Sequence, residues 1–255
     1  MPNSAPLMKK IDKYISSTIA TEFHDKRLAK ISEIKLSKIV GRKNPYLLRA
    51  KNCLTAHDAI KSMLEAVLSS SEETIFGNYL EKIAIYVCEQ VFHGRKSGIK
   101  GIDLEFEKNR KKYVISIKSG PNWGSASQRE KLADQFNKAR ATLRTSGGNK
   151  KTEIIFVEGV CYGKQPITHK ASHVQYYGKD FWELISGNPN LYKDIIKPLG
   201  ESAKKRNEDF LVRYSEVMNA LSVAFIKDFC DKSGKILWPK LMEYVSKNRA
   251  SGPNA

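Results

Sequence analysis

Apolar positions recur at helical spacing through much of the chain, and that period sets the first expectations. Met8–Ile19 and Leu28–Val40 read as two lysine-dotted helices, closed off by the breaker Asn44-Pro45. A third helix is expected over Ala56–Leu68, ending in the serine run Ser69–Ser71. A fourth covers Phe76–Phe92, where Leu80, Ile83, Val87 and Val91 form one stripe. The period then changes. Ile102–Glu107, Tyr113–Lys118 and Ile154–Tyr162 are strand-like, with a helix over Ser127–Leu143 between the second and the third. Helices return over Phe181–Ile185, Asn207–Phe229 and Trp238–Val245, and Asn248–Ala255 reads as a frayed tail. The order predicts an α/β (α+β) fold, with a small mixed central sheet flanked by helices and helical additions at both ends.

The segment GIDLEFEKNRKKYVISIKSG reads as a hairpin with a polar turn near Lys108–Lys112. Centring the turn between Arg110 and Lys111 puts Asp103 opposite Lys118, Glu105 opposite Ser116 and Glu107 opposite Val114. Side-chain alternation gathers these on one face and leaves Ile102, Leu104, Phe106, Ile115 and Ile117 on the other. A slip of one residue would put charges among the isoleucines, which guards the assignment of faces. Directly opposed Cβ atoms lie roughly 5 Å apart, so the acids and the lysine are close. Nearby carboxylates repel unless a cation sits between them, and magnesium accepts one or two carboxylates while keeping several waters. A lysine beside them can orient or deprotonate a water, or stabilise charge developing on a phosphate. An ordinary charged strand face with cross-strand ion pairs fits the same spacing.

Charge shifts the balance between these readings. The 255 residues include 44 lysines and arginines against 27 acids, a net +17, and 41% of the chain is hydrophobic. A full core is therefore available, and the surplus is not a sign of disorder. It points to a polyanion, because basic side chains on phosphates release counterions. Anionic membrane is the other polyanion, but no apolar run approaches the roughly 20 residues of a spanning helix. The N-terminus shows no signal-peptide pattern, and the cysteines at 53, 88, 161 and 230 are too dispersed for a CxxC-type zinc site. A reducing cytoplasm is expected. His169 and His173 stand four apart without an acid motif, so zinc is not expected, and all five histidines are expected at the surface. The chain has neither a GxSxG elbow nor a Walker-type glycine loop, which argues against a serine hydrolase and a nucleotide-driven step.

A phosphate-rich ligand would meet residues around the hairpin. Lys100, with Arg95, Lys96 and the Lys108–Lys112 cluster, fringes it and suits phosphate contact. Asn122 and Trp123 lie in the rigid-looking loop after Lys118, where functional loops concentrate. Trp123 suits DNA or dimer contact, although tryptophan more often packs in a core, the preferred reading here. Gln135, Asn137 and Lys138 carry groups that can meet bases or phosphate, and a solvated helix face is the alternative.

At Asp103 and Lys118 the chain resembles the PD-(D/E)XK nuclease superfamily, whose motif is an aspartate followed, after a spacer, by acid-x-lysine. Ser116 stands where that motif has its acid, so the second metal carboxylate passes to Glu105 or to Glu81 on the preceding helix. The chain is further similar to type II restriction endonucleases that cut GGNCC-like palindromes, a subgroup that tolerates serine two places before the lysine. The similarity runs in order through Asn44-Pro45-Tyr46, FGNYLEK from Phe76, SIKSG from Ser116 and QFNKA from Gln135. It continues through EIIFVEGVCYG from Glu153, YYGKDFWELI from Tyr176 and the W-x-KL-x-E tail from Trp238.

The resemblance implies Mg2+-dependent hydrolysis of double-stranded DNA at a palindromic site, leaving a 5′-phosphate and a 3′-hydroxyl. Asp103 would be the central metal ligand, joined by Glu81 or Glu105 and by the backbone carbonyl of Ile117. Lys118, with Ser116 beside it, would serve the attacking water or the phosphate. A homodimer matching the symmetry of the site and a cognate methyltransferase are implied as well. The expected division is a helical region over 1–70 for DNA binding or dimerisation, a nuclease core over 71–200 and a helical region over 201–255. A repair or junction nuclease on the same core is the runner-up. A non-catalytic DNA-binding protein, which Ser116 favours, is the rival from another class.

Overall fold

The computed structural model describes residues 5–145, 152–201 and 203–246. Asn248–Ala255, expected to fray, lies outside them. The N-terminal helix α1 (Ala5–Ile19) buries Ile11, Ile15 and Ile19 and runs into a π-helical turn over Ala20–His24. The single helix expected over Leu28–Val40 is two, α2 (Asp25–Ser32) and α3 (Leu36–Ile39). A short α4 (Pro45–Ala50) follows, with Asn44 Oδ1 accepting from the backbone N–H groups of Tyr46 and Leu47 and proline at its start.

The next helix departs further from expectation. Residues expected to form two helices make one, α5 (Ala56–Phe92), 37 residues long. Thr55 caps it, its hydroxyl accepting from the Asp58 N–H at 3.1 Å. The serine run does not break it, because Ser71 Oγ donates to the Val67 carbonyl at 2.8 Å and so satisfies itself within the helix. Its end is marked by His93 at φ 53° and by a Gly94 N–H bond to the Cys88 carbonyl.

Six strands form one sheet in the order β1-β2-β3-β4-β6-β5. They are β1 (Arg95–Lys96), β2 (Leu104–Lys108), β3 (Lys111–Lys118), β4 (Glu153–Val160), β5 (Thr168–His169) and β6 (Val174–Tyr177). β1, β2 and β3 pair antiparallel, β3, β4 and β6 pair parallel, and β5 closes the edge antiparallel. Helix α6 (Ala126–Thr145) makes the crossover that the parallel β3–β4 pair requires. The mixed sheet with flanking helices places the chain in the α/β class, as the order of periods predicts.

Both sheet faces are covered. α6 lays Leu132, Phe136 and Ala139 on Val114 and Phe156, and Ile102, expected on the other face, joins this cluster because it lies before β2 begins. On the opposite face Phe92 of α5 stacks on Phe106, 5.4 Å between ring centroids, and Phe106 stacks on Tyr113 at 4.9 Å. Helix α7 (Gly178–Ser186) sets Phe181 so close to Gly159 that a Cβ there would lie 2.3 Å from the ring. Among the described residues four further helices follow: α8 (Leu191–Asp194), α9 (Ile196–Gly200), α10 (Ala203–Phe229) and α11 (Trp238–Ser246).

The chain divides into two compact units that are each discontinuous in sequence. The first, Met1–Glu22 with Phe76–Ala203, contains the sheet. The second, Phe23–Ile75 with Lys204–Ala255, is helical, and its core joins Ile31, Ile60 and Leu64 to Phe210, Leu221 and Phe225. Among the described residues no helix is long and apolar enough to cross a membrane. The four cysteines are free.

Candidate active site

The β2–β3 turn decides which side chains meet. Asn109 and Arg110 both take positive φ, 53° and 61°, a two-residue turn whose twist matches the hairpin. The register is therefore shifted by two residues from the one expected: Glu105 faces Val114 and Glu107 faces Lys112. A shift of two leaves the side chains within β2 and β3 on their expected faces, Ile102 lying outside the strand. It moves Asp103 to the level of Ser116 instead of Lys118.

Three groups consequently form a chain of contacts at the open end of the hairpin. Asp103 Oδ2 accepts from the Ile117 N–H at 2.6 Å and from Ser116 Oγ at 3.2 Å. Lys118 Nζ donates to the same Ser116 hydroxyl at 2.9 Å. Ser116 is buried and serves as the link between the aspartate and the lysine. The Ile117 side chain is buried as well, so its part in the site is played by its backbone.

Glu81 belongs to the same neighbourhood. Gly77 of α5 lies against Ser119, which brings the following helical turn to the end of β3. Burial raises the Glu81 pKa, and the charge of Asp103 raises it further, against opposing pulls from Lys96 and Lys118. The Lys96 ammonium stands 3.7 Å from Glu81 Oε1 and is itself largely exposed. The charge of Asp103 thus works against the ionisation of Glu81, an arrangement that a cation would relieve.

Glu105 has different surroundings. It is 6% exposed, and its oxygens accept from Ser97 at 2.6 Å and Lys112 at 2.8 Å, with Arg95 at 3.9 Å. Burial acts to raise its pKa, but the Lys112 and Ser97 hydrogen bonds and the two cations outweigh this and hold it low. Its charge is already balanced.

The donor set fits a hard divalent cation. It offers the carboxylates of Asp103 and Glu81, oxygens only, in the small number that magnesium takes. Among the described residues no group of three or more His, Cys, Asp or Glu side chains is arranged to hold a metal ion, so a metal here would rest on two carboxylates.

Glu158 is the residue that sequence patterning misses. It pairs with Ser116 across β3–β4 and with Gln175 across β4–β6, so a polar row crosses the middle of the sheet. At 3% exposed it accepts from Trp123 Nε1 at 2.6 Å and from Gln175 Nε2 at 2.7 Å, with His173 Nε2 at 3.1 Å. Burial acts to raise its pKa, but the bonds from His173, Gln175 and Trp123, with the His173 charge, bring it below the usual value. An acid inside the apolar run Ile154–Val160 is the signal that would have found it. His173, expected at the surface, has a side chain only 8% exposed, because it is a partner of this buried acid.

The residues considered for DNA contact are not gathered in one place. Lys100, Asn122, Asn137 and Lys138 are exposed on separate loops and on α6. Gln135 is half-buried, its amide so close to Gly101 that a Cβ there would lie 2.3 Å from Gln135 Cδ. Trp123 is half-buried, packs against the α6 cluster, and stands 4.8 Å from Lys118 Nζ measured to its ring centroid.

Residues 9–207 match the family described as type II restriction endonuclease EcoO109I, a stretch that includes α5, the hairpin, α6 and β4. The chain belongs to this family. A type II restriction endonuclease is a site-specific deoxyribonuclease, so this one cleaves double-stranded DNA at specific sites. The net charge of +17 suits an enzyme whose substrate is a polyphosphate. No curated protein matches the chain at a significant level.

Proposed function

We propose that this endonuclease is a cytoplasmic, Mg2+-dependent homodimer that cuts a palindromic, GGNCC-like site and works beside a methyltransferase protecting the same site. The observation that carries the proposal is the contact chain Asp103–Ser116–Lys118 with Glu81 facing it. Asp103, Glu81 and the Ile117 carbonyl would hold the metal, which when bound would supply Lewis-acid activation of water and offset charge on the scissile phosphate.

The chain's own residues do the rest. The Ile117 N–H and the Ser116 hydroxyl fix the Asp103 carboxylate through Oδ2. Ser116 also fixes the Lys118 ammonium, which meets the attacking water or the negative charge growing on the phosphate. The serine contributes a hydrogen-bond relay where the superfamily motif has an acid, and Glu81 supplies the carboxylate from α5. Lys100, Asn122, Asn137 and Lys138 offer exposed polar contacts for the duplex, and the helical unit serves DNA binding or dimerisation.

Digestion of unmethylated phage DNA with magnesium and with EDTA tests this reading. Discrete magnesium-dependent fragments whose sequenced ends share a GGNCC-like palindrome are expected. Fragments in EDTA, or ends without a palindrome, would contradict it.

A further inference from the structure

Lys118 is held from a second side, and the holder is itself anchored. Its ammonium lies over the face of Trp123, 4.8 Å from the ring centroid, within the range of a cation–π contact. The loop carrying Trp123 is otherwise exposed, with Asn122 and Gly124 both open to solvent. What fixes the indole is its N–H, donated to Glu158 Oε1 at 2.6 Å. Glu158 is in turn fixed through its other oxygen by Gln175 and His173. His173 is backed by Ser172 Oγ at 2.8 Å from Nδ1 and lies against Phe136 of α6. A buried charge with three donors is expensive to assemble, and here it ends on a single ring under the lysine.

We propose that Trp123 and Glu158 form a positioning arm for Lys118, in which the buried carboxylate orients the indole and the indole face keeps the ammonium at Ser116 and the scissile phosphate. The inference rests on the reading of Lys118 as the catalytic lysine. It takes Trp123 out of the set of DNA-contacting residues: the ring acts through the lysine and not on the duplex. Arg129 also approaches this ring, at 6.0 Å, but it is exposed and bonds the Pro121 carbonyl, so it braces the loop instead of entering the site.

The test measures single-turnover cleavage with magnesium and DNA affinity in EDTA for the parent, Trp123→Leu, Trp123→Phe and Lys118→Ala. Trp123→Leu loses the ring and should cut roughly tenfold more slowly, the order expected for a desolvated cation–π contact, with affinity unchanged. Trp123→Phe keeps a ring face without the N–H and should recover part of that rate. Parental cleavage by Trp123→Leu, or a loss of DNA affinity matching the loss of rate, would overturn the arm. Lys118→Ala separates the two failures. If it cuts like the parent, the reading of Lys118 falls; if it is inactive while Trp123→Leu is unimpaired, only the arm falls. Should Trp123→Leu not fold, the ε-methylene protons of Lys118 in the parent decide. An upfield ring-current shift supports the arm and a random-coil position overturns it.

Discussion

Towards its turn, the β2–β3 hairpin matches acids with bases, whereas at its open end Asp103 stands near a second acid, Glu81 of α5. Near the turn Glu105 takes Lys112 and Ser97, and Lys111 reaches Glu153 on β4 at 3.0 Å. At the open end Asp103 raises the pKa of Glu81, and the lysine within reach is tethered to a serine. The acids on one strand face, Asp103 and Glu105, look equivalent in the sequence. The difference between them teaches that a carboxylate held low by its cations supports the fold, while an acid pair in which one raises the pKa of the other fits the proposed metal site.

The sharpest way to break this contrast is to remove the cation that serves the open end. Lys118→Ala should lower the single-turnover cleavage rate by roughly a thousandfold while DNA binding in EDTA is preserved. A rate within experimental error of the parent would make the open end no different from the turn.

The two glutamates should then respond with opposite signs. Glu81→Gln should cut about a hundredfold more slowly yet melt at a higher temperature, since it removes an acid whose ionisation is opposed by burial and by Asp103. The folded pKa of Glu81 lies above its unfolded value, so the ionised form costs stability above that pKa. The stabilisation by Glu81→Gln should accordingly be full at neutral pH and disappear as pH falls through the raised pKa. Glu105→Gln should cut normally and lose about 2 kcal/mol in urea unfolding, because Lys112 loses its charged partner. Equal behaviour of the two variants would erase the distinction.

These assignments were only partly legible in the sequence. Alternation protected the faces of the hairpin against error, because Ile115 and Ile117 tolerate no odd shift. It could not resolve an even shift, and Asn109-Arg110 lacks the glycine that usually marks a two-residue turn. The serine run looked like a helix end because Ser71 back-bonding to Val67 is invisible to propensity. The short strands β1, β5 and β6 carry too few residues to display a period, and so His173 and Gln175 could not be linked to Glu158. Helix α1 belongs with the sheet-containing unit and Phe23–Ile75 with the C-terminal helices, an exchange of partners that a linear reading of composition does not register.

Smaller effects sharpen the comparison at the link between the two acids' surroundings. Ser116→Ala removes the hydroxyl shared by Asp103 and Lys118 and should slow cleavage by roughly tenfold, read by the same single-turnover assay. Glu158→Gln should cost about 1–3 kcal/mol at neutral pH by disturbing a fully bonded buried acid. The folded pKa of Glu158 is depressed, so its stabilisation is present above the unfolded value and lost as pH falls through the folded one. Melting curves across that acidic range should show the gap between parent and variant closing; a gap constant with pH would mean the charge of Glu158 is not what stabilises the row.

The proposed role of Asp103 is to hold the metal that cleavage requires. It is tested most directly by comparing the parent with Asp103→Asn on unmethylated DNA in magnesium, with binding of both measured in EDTA. Discrete fragments are expected from the parent, none from the variant, and equal binding by the two. The same fragments from Asp103→Asn would contradict it.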